Sequence, residues 1–228
     1  MDDKMTLETT KSRLLEAALP HVPFDGWSEA TLAAAIADSQ TAPALARALF
    51  PRGGLDLALA YHAAGDQQLR ATIVATDMAA LRFRDRFATA VRLRLQLADR
   101  ECVRRGAALF SLPQNVAAGS RAMWATADTI WTALGDTSTD VSWYTKRLSA
   151  SGVYAATVLF WLGDDSANQQ ATWEFLDRRV ENVMSIEATK ARFRENRLGK
   201  ALMAGPMKVI ESIRAPKRPK DLPGLQQD

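Results

Sequence analysis

An all-α fold is the class this sequence predicts, and three observations carry it. No run alternates apolar and polar residues over strand length between turn residues, the period-two signal of a half-buried strand. Apolar residues recur instead at steps of three and four, the period of one helix face. The breaks between such stretches hold proline, glycine and good N-cap residues, where helices stop and start. The expected organisation is a degenerate helix-turn-helix over residues 6–55, a helical bundle over 56–187, an amphipathic helix over 189–214 and a mobile tail over 215–228.

The first helix covers residues 6–20, with Leu7, Leu14, Leu15, Ala18 and Leu19 on one side, and Pro20 and Pro23 break it. Ser28 is placed to cap an alanine-rich helix over 31–37. The polar turn Asp38-Ser39-Gln40-Thr41 follows, then a third short helix over 44–50 that stops at Pro51 and Gly53-Gly54. A helix over 56–64 comes next. Residues 66–105 lack proline and glycine and read as continuously helical, with Leu81, Ala88, Val91 and Leu95 on the core stripe. Arg82, Arg84, Arg86, Arg92 and Arg94 are interleaved with Asp77, Asp85 and Asp99, the pattern of a solvated face laced with ion pairs. Breaks are expected at Arg105-Gly106 and again over 111–115.

The next helix repeats Val116, Ser120, Met123, Ala127, Ile130 and Leu134, and Trp124 and Trp131 widen its stripe. Gly135 is placed to end it in a left-handed cap, and Ser138, Thr139 and Asp140 are N-cap residues for its successor. That successor carries Val141, Tyr144, Leu148, Ala155, Leu159 and Leu162 on one stripe. A neighbouring stripe holds Trp143, Ala150, Tyr154, Val158 and Trp161, a breadth that predicts burial nearly all round. Its first turns bring Asp140, Trp143, Tyr144 and Arg147 together, a composition suited to an interaction hot spot. The same residues also suit a plug for the bundle end, with Arg147 answering a capping Asp140 at helical spacing. Ser151 and Gly152 widen a cavity or permit close helix packing. After Gly163, a last bundle helix over 168–187 turns Trp173, Leu176, Val180 and Val183 to the core.

Composition narrows the chemistry. With 228 residues and 47% hydrophobic content the chain is long enough for one large domain or two small ones. No stretch approaches the roughly 20 apolar residues of a membrane span, and Met1-Asp2-Asp3-Lys4 has no apolar signal core behind it, so the protein is expected to stay where it is made. Cys102 is the one cysteine, and His21 and His62 stand far apart, which argues against a disulfide and against a zinc site. No glutamate has a histidine three residues on, and no phosphate loop, nucleophile elbow or dinucleotide fingerprint occurs. No catalytic residue and no metal are assigned, and an enzyme is not expected.

Charge is unevenly spread. Ten Lys or Arg face two Glu between Lys190 and Lys220, a net +8, which leaves −5 for the rest of a chain whose total is +3. Within 189–214, Leu198, Leu202, Met203, Val209 and Ile213 form a broad apolar face, and Arg194, Arg197 and Lys200 lie mainly elsewhere. That combination predicts a helix on an anionic membrane surface; the alternative is a terminal helix packed on the bundle with a solvated basic back. Nucleic acid is not expected, because phosphate binding does not need the apolar face.

Leu14-Leu15-Glu16-Ala17-Ala18-Leu19, Gly26-Trp27 and Leu49-Phe50-Pro51, with the alanine-rich helix and polar turn between them, resemble the helix-turn-helix of TetR-type regulators. A recognition helix needs side chains that reach base edges, and residues 40–50 offer only Gln40, Thr41 and Arg47. The resemblance therefore implies a TetR-like helical bundle that has lost DNA. A TetR-type transcriptional regulator with an apolar effector is the alternative.

The stretch from Gly135 to Arg147, through Asp140, Trp143, Tyr144 and Thr145, looks like the signature of the coenzyme Q (ubiquinone) biosynthesis protein 9 family. Leu112-Pro113 with Asn115, Trp131, Thr172-Trp173 and Phe175 to Val180 support it. The resemblance implies a non-catalytic lipid-binding accessory protein that presents a polyprenylated quinone precursor to a hydroxylase at the membrane surface. The expected ligand is an isoprenoid quinone precursor or a phospholipid, with no other cofactor, and a homodimer is expected. Asp140, Trp143, Tyr144 and Arg147 would meet the hydroxylase, with Ile130, Trp131 and Leu134 as apolar neighbours. Met123, Trp124, Ala127, Ser151, Gly152, Ala155 and Leu159 would line the lipid cavity. The implied location is peripheral to the inner membrane, on the cytoplasmic face in a bacterium and the matrix side in a mitochondrion.

Overall fold

In the computed structural model residues 2–195 and 214–216 are described, with side chains over 6–183 and 214–216, and every regular element among them is helical. The chain opens with α1 (Asp2–Ala18), a one-turn α2 (Val22–Asp25), α3 (Glu29–Ser39) and α4 (Pro43–Leu49). Local chemistry sets their ends. Ser28 Oγ accepts the Thr31 N–H at 3.2 Å as the N-cap of α3. Gln40 closes that helix in a left-handed conformation with φ 51°, and Pro43 starts α4, where a missing N–H costs nothing. Pro23 does not merely break the chain; it sits in the first turn of α2.

The stretch expected to be one helix from residue 66 to 105 is divided among α5 (Gly54–Ala75), α6 (Phe83–Gln96) and α7 (Arg100–Ser111). Polar side chains make the breaks. Asp77 Oδ1 accepts the Ala79 N–H at 3.1 Å, a local turn that competes with the helix, and Asp99 Oδ1 accepts the Cys102 N–H at 2.8 Å as the N-cap of α7. Because α6 begins only at Phe83, Leu81 lies in the turn and is 41% exposed rather than on the core stripe. Gly106 breaks nothing: it is buried inside α7.

Then come α8 (Val116–Ala133), α9 (Val141–Leu162), a single 3₁₀ turn (Ala167–Gln169) and α10 (Gln170–Glu195). Gly135 takes φ 85° beyond α8, as its position predicts. α10 continues past residue 189, where a separate helix was expected to begin. Of the expected membrane-surface residues, Arg197, Leu198, Lys200, Leu202, Met203, Val209 and Ile213 lie outside the described residues, and of Arg194 only the backbone is described.

Two apolar clusters divide the buried side chains. One joins Leu14, Val22, Trp27, Phe50 and Leu57 of the N-terminal helices with Cys102 of α7. The other joins Leu69, Phe87, Leu95, Ile130, Tyr154 and Leu176 of α5, α6, α8, α9 and α10. α9 packs on α8 and α10, and α10 also on α6. It is not buried all round: Ala150, Tyr154, Val158 and Trp161 face inward, whereas Leu148 and Leu159 are about two-thirds exposed on a face no described element covers.

Candidate functional site

Two features distinguish the bundle, an aromatic junction where α8 turns into α9 and an open-mouthed cavity lined by the start of α8 and the later turns of α9. At the junction Asp140 Oδ1 accepts the Ser142 N–H at 3.0 Å and caps α9. Arg147 does not answer Asp140. Its Nε donates to Asp128 Oδ1 at 2.6 Å, and its Nη1 donates to Asp136 Oδ2 and to the Trp143 carbonyl at 3.0 and 3.2 Å. Asp136 also accepts from Lys146 Nζ at 2.8 Å and Ser138 Oγ at 2.6 Å. Burial works against its charge, but the hydrogen bonds from Lys146, Ser138 and Arg147 outweigh that and hold the carboxyl down at about 2.

Over this ionic base lies an aromatic cluster. Trp143 and Tyr144 meet edge to face with ring centres 4.8 Å apart, and Trp124 stands 5.9 Å from Trp143. The Arg147 guanidinium lies 4.1 Å from the centre of the Trp143 ring. Trp131 is turned inward, donating from Nε1 to the Lys146 carbonyl at 3.1 Å and stacking on Phe83. Residues 214–216 return to this place: the Ala215 N–H donates to the Thr139 carbonyl at 2.9 Å, and Tyr144 Oη donates to the Arg214 carbonyl at 3.3 Å.

The residues expected to meet a partner therefore fall into two layers. Asp140 is exposed and Trp143, Tyr144 and Leu134 are half-buried, but Ile130 and Arg147 have no exposed area and Trp131 little. The last three support the surface from below, because two carboxylates draw Arg147 inward and the core of α8 encloses Ile130.

The cavity, about 350 Å³, lies between α5, α7, α8 and α9. Its mouth is set by the exposed Ser111, Val116, Ser120 and Leu159, and its interior by buried Trp27, Arg94, Cys102 and Tyr154. Met123, Ala155 and Leu159 line it; Trp124, Ala127, Ser151 and Gly152 do not. Trp124 belongs to the aromatic cluster, Ala127 is sealed in the core, and Ser151 Oγ donates to the Arg147 carbonyl at 2.8 Å. Gly152 lines a shallow hollow beside Arg179 and Asn182 instead. Trp27, Tyr61, His62, Phe110 and Tyr154 line the cavity without having been singled out for it.

A buried polar network closes one wall. Arg94, assigned to a solvated face, is 2% exposed: its Nε donates to Asp66 Oδ1 at 2.8 Å and its Nη2 to the His62 carbonyl at 3.0 Å. Thr126 Oγ1 donates to both Asp66 oxygens, at 2.9 and 3.0 Å, so its contact with His62 Nε2 at 2.7 Å needs the imidazole as donor. Burial is the main cause that pushes the His62 pKa down, against the pull of Asp66, which keeps the ring neutral. A second groove of about 530 Å³ runs beneath the 135–138 loop between Phe83, Trp131 and Val180, and Arg86, Asp136 and Lys146 give it a more charged lining. No group of three or more potential metal ligands occurs among the described residues.

A family model described as COQ9 matches residues 116–187, which span α8, α9 and much of α10. The mitochondrial ubiquinone biosynthesis protein COQ9 of Rattus norvegicus is 30% identical over 238 residues, covering 99% of this chain and 72% of the relative. That of Xenopus tropicalis is 31% identical over 229 residues, covering 96% and 69%. This chain belongs to the COQ9 family. The COQ9 match takes in the whole aromatic junction and the α8 and α9 walls of the cavity, whereas Tyr61, His62 and Arg94 lie outside it. The human COQ9, 29% identical over 235 residues, covers 99% of this chain, so similarity to the relatives extends over the N-terminal helices as well.

Proposed function

We propose that this protein is a non-catalytic accessory protein of ubiquinone biosynthesis that takes a polyprenylated quinone precursor into its cavity and presents it to a hydroxylase at a membrane surface. The observation that carries this reading is the apolar cavity between α5, α7, α8 and α9, open through Val116, Ser120 and Leu159. At about 350 Å³ it lies at the low end of the range of about 300–1,000 Å³ that takes drug-sized ligands, so a long prenyl tail would run out through the mouth. The COQ9 relatives are named for ubiquinone biosynthesis and as mitochondrial, which supports the pathway and, for a eukaryotic source, a mitochondrial location. The aromatic junction supplies the docking surface for the hydroxylase: Trp143 and Tyr144 offer rigid amphipathic area over a fixed ionic base.

A transcriptional regulator is the weaker reading. Thr41 is buried at 5% exposure, which leaves Gln40 and Arg47 as the exposed polar side chains of the expected recognition segment. Native purification followed by organic extraction and mass spectrometry tests the proposal. A polyprenylated phenol or quinone is expected in the extract; bulk phospholipid alone, or nothing, sinks the carrier.

A further inference from the structure

The Tyr154 hydroxyl has no hydrogen-bond partner among the described residues, and it is not one of the fully enclosed unpaired atoms, so it opens onto the cavity. Tyr154 projects from α9 into the second apolar cluster, is 3% exposed and lines the cavity. A hydroxyl on a largely buried tyrosine that opens onto a cavity gives its hydrogen bond to whatever fills that cavity. Neither Asp66 nor Arg94, the charged groups that act on it electrostatically, forms a hydrogen bond with it, and no other described residue does. Phenylalanine would fill the same space without leaving a donor unmet.

What surrounds this hydroxyl limits what it could meet. Arg94 is neutralised by Asp66 at 2.8 Å, His62 is held neutral, and the Tyr61 hydroxyl accepts the Asp99 N–H at 2.9 Å and keeps its own proton to give. Burial pushes the Tyr61 and Cys102 groups up to about 12, so neither is an anion at neutral pH. The inner end of the cavity thus carries hydroxyl donors and no uncompensated charge. A carboxylate or phosphate would be desolvated there without a counter-ion, which is costly. A pure hydrocarbon would leave the Tyr154 donor unmet. A neutral ring bearing carbonyl, hydroxyl or methoxy oxygens meets both conditions.

We propose that the inner end of the cavity is a headgroup site, in which the Tyr154 hydroxyl, with Tyr61 also on the cavity wall, donates a hydrogen bond to an oxygen of a quinone or phenol ring. The prenyl tail leaves past Phe110, Met123 and Leu159, so the ring enters first and is held deepest. This assignment rests on the lipid-carrier reading and adds to it a preference for ring oxygens and an orientation.

The test uses the full chain, as wild type and as Tyr154→Phe. Each is incubated with phosphatidylcholine vesicles holding equal amounts of a decyl-tailed dimethoxy-methyl-benzoquinone and decylbenzene, then re-isolated, and both lipids are quantified by mass spectrometry. One net hydrogen bond corresponds to about fivefold in affinity, so wild type is expected to enrich the quinone about fivefold and Tyr154→Phe to lose that enrichment. The carbonyl stretch of the bound quinone should lie at lower frequency in wild type than in the variant. Tyr154→Phe should fold with an undiminished melting temperature, because the lost hydroxyl bonds no other described residue. Equal uptake of both lipids by wild type, or an unchanged preference in the variant, overturns the headgroup site and leaves the carrier standing. Binding of neither lipid overturns both.

Discussion

Arg147 Nη1 and Asp136 Oδ2 stand 3.0 Å apart, with the arginine side chain fully buried and the carboxylate 4% exposed. The pair joins α9 to the loop that follows α8, and the same guanidinium carries the Trp143 ring on its face. Removing one partner of a buried pair costs up to about 3–5 kcal/mol, and the lower end applies here because Lys146 stays bonded to Asp136 at 2.8 Å. Arg147→Ala should therefore lower unfolding stability by that order in urea titrations, with a changed near-ultraviolet circular dichroism as Trp143 loses its support. Arg147→Lys should recover little of the loss, since an ammonium cannot reach Asp128, Asp136 and the Trp143 carbonyl at once. Full stability in the lysine variant would show that charge alone, not the fork, holds the junction.

Asp136 gives the junction a pH dependence. Its folded pKa of about 2 lies below the ordinary 3.8, so the folded state takes up the proton later on acidification than the unfolded chain. The stabilisation is whole above the ordinary value and drains away as pH falls toward the folded one. At about 1.4 kcal/mol per pH unit it is on the order of 2 kcal/mol. Asp136→Asn should be less stable than wild type by about this much at neutral pH, with the difference closing on acidification. Parallel curves over that range would mean that Asp136 is not held by its cations.

On the proposed function, Trp143→Ala should separate partner binding from ligand binding, because Trp143 belongs to the aromatic junction and does not line the cavity. Trp143→Ala should weaken binding of the quinone-precursor hydroxylase by more than tenfold, the loss typical of a central aromatic anchor worth about 2 kcal/mol. Extracted lipid should be unchanged. Titration against the immobilised hydroxylase measures the first and mass spectrometry the second; undiminished hydroxylase binding would move the docking surface elsewhere.

Much of this fold was legible in local chemistry. The Ser28 cap, the Gly135 turn and the Asp140 cap depend on neighbours within a few residues, and all stand where the sequence puts them. Residues 66–105 were not legible as three helices because no proline or glycine marks the breaks at Thr76 and Leu97; aspartate side chains make the local bonds there instead. Depth was harder still. Arg147 and Arg94 look like surface charges until Asp128, Asp136 and Asp66 arrive from other elements. Tyr154 sits on a correctly drawn apolar stripe, yet nothing in that stripe shows that its hydroxyl meets open space.

Two glycines in mid-helix should respond in opposite directions to the same substitution. A Cβ on Gly152 of α9 would meet nothing within 4 Å, so Gly152→Ala should stabilise the chain by about 0.5–1 kcal/mol, the ordinary gain in helix propensity. A Cβ on Gly65 of α5 would lie 2.7 Å from the Arg94 guanidinium atoms. The arginine cannot retreat cheaply, because Asp66 and the His62 carbonyl hold it and it is buried. Gly65→Ala should thus lose more than its propensity gain, a net cost of about 1–3 kcal/mol from overpacking. Urea titrations of both variants decide the matter. A stabilised Gly65→Ala would show that the Arg94 network yields, and a destabilised Gly152→Ala would show that something beyond the described residues covers the open face of α9.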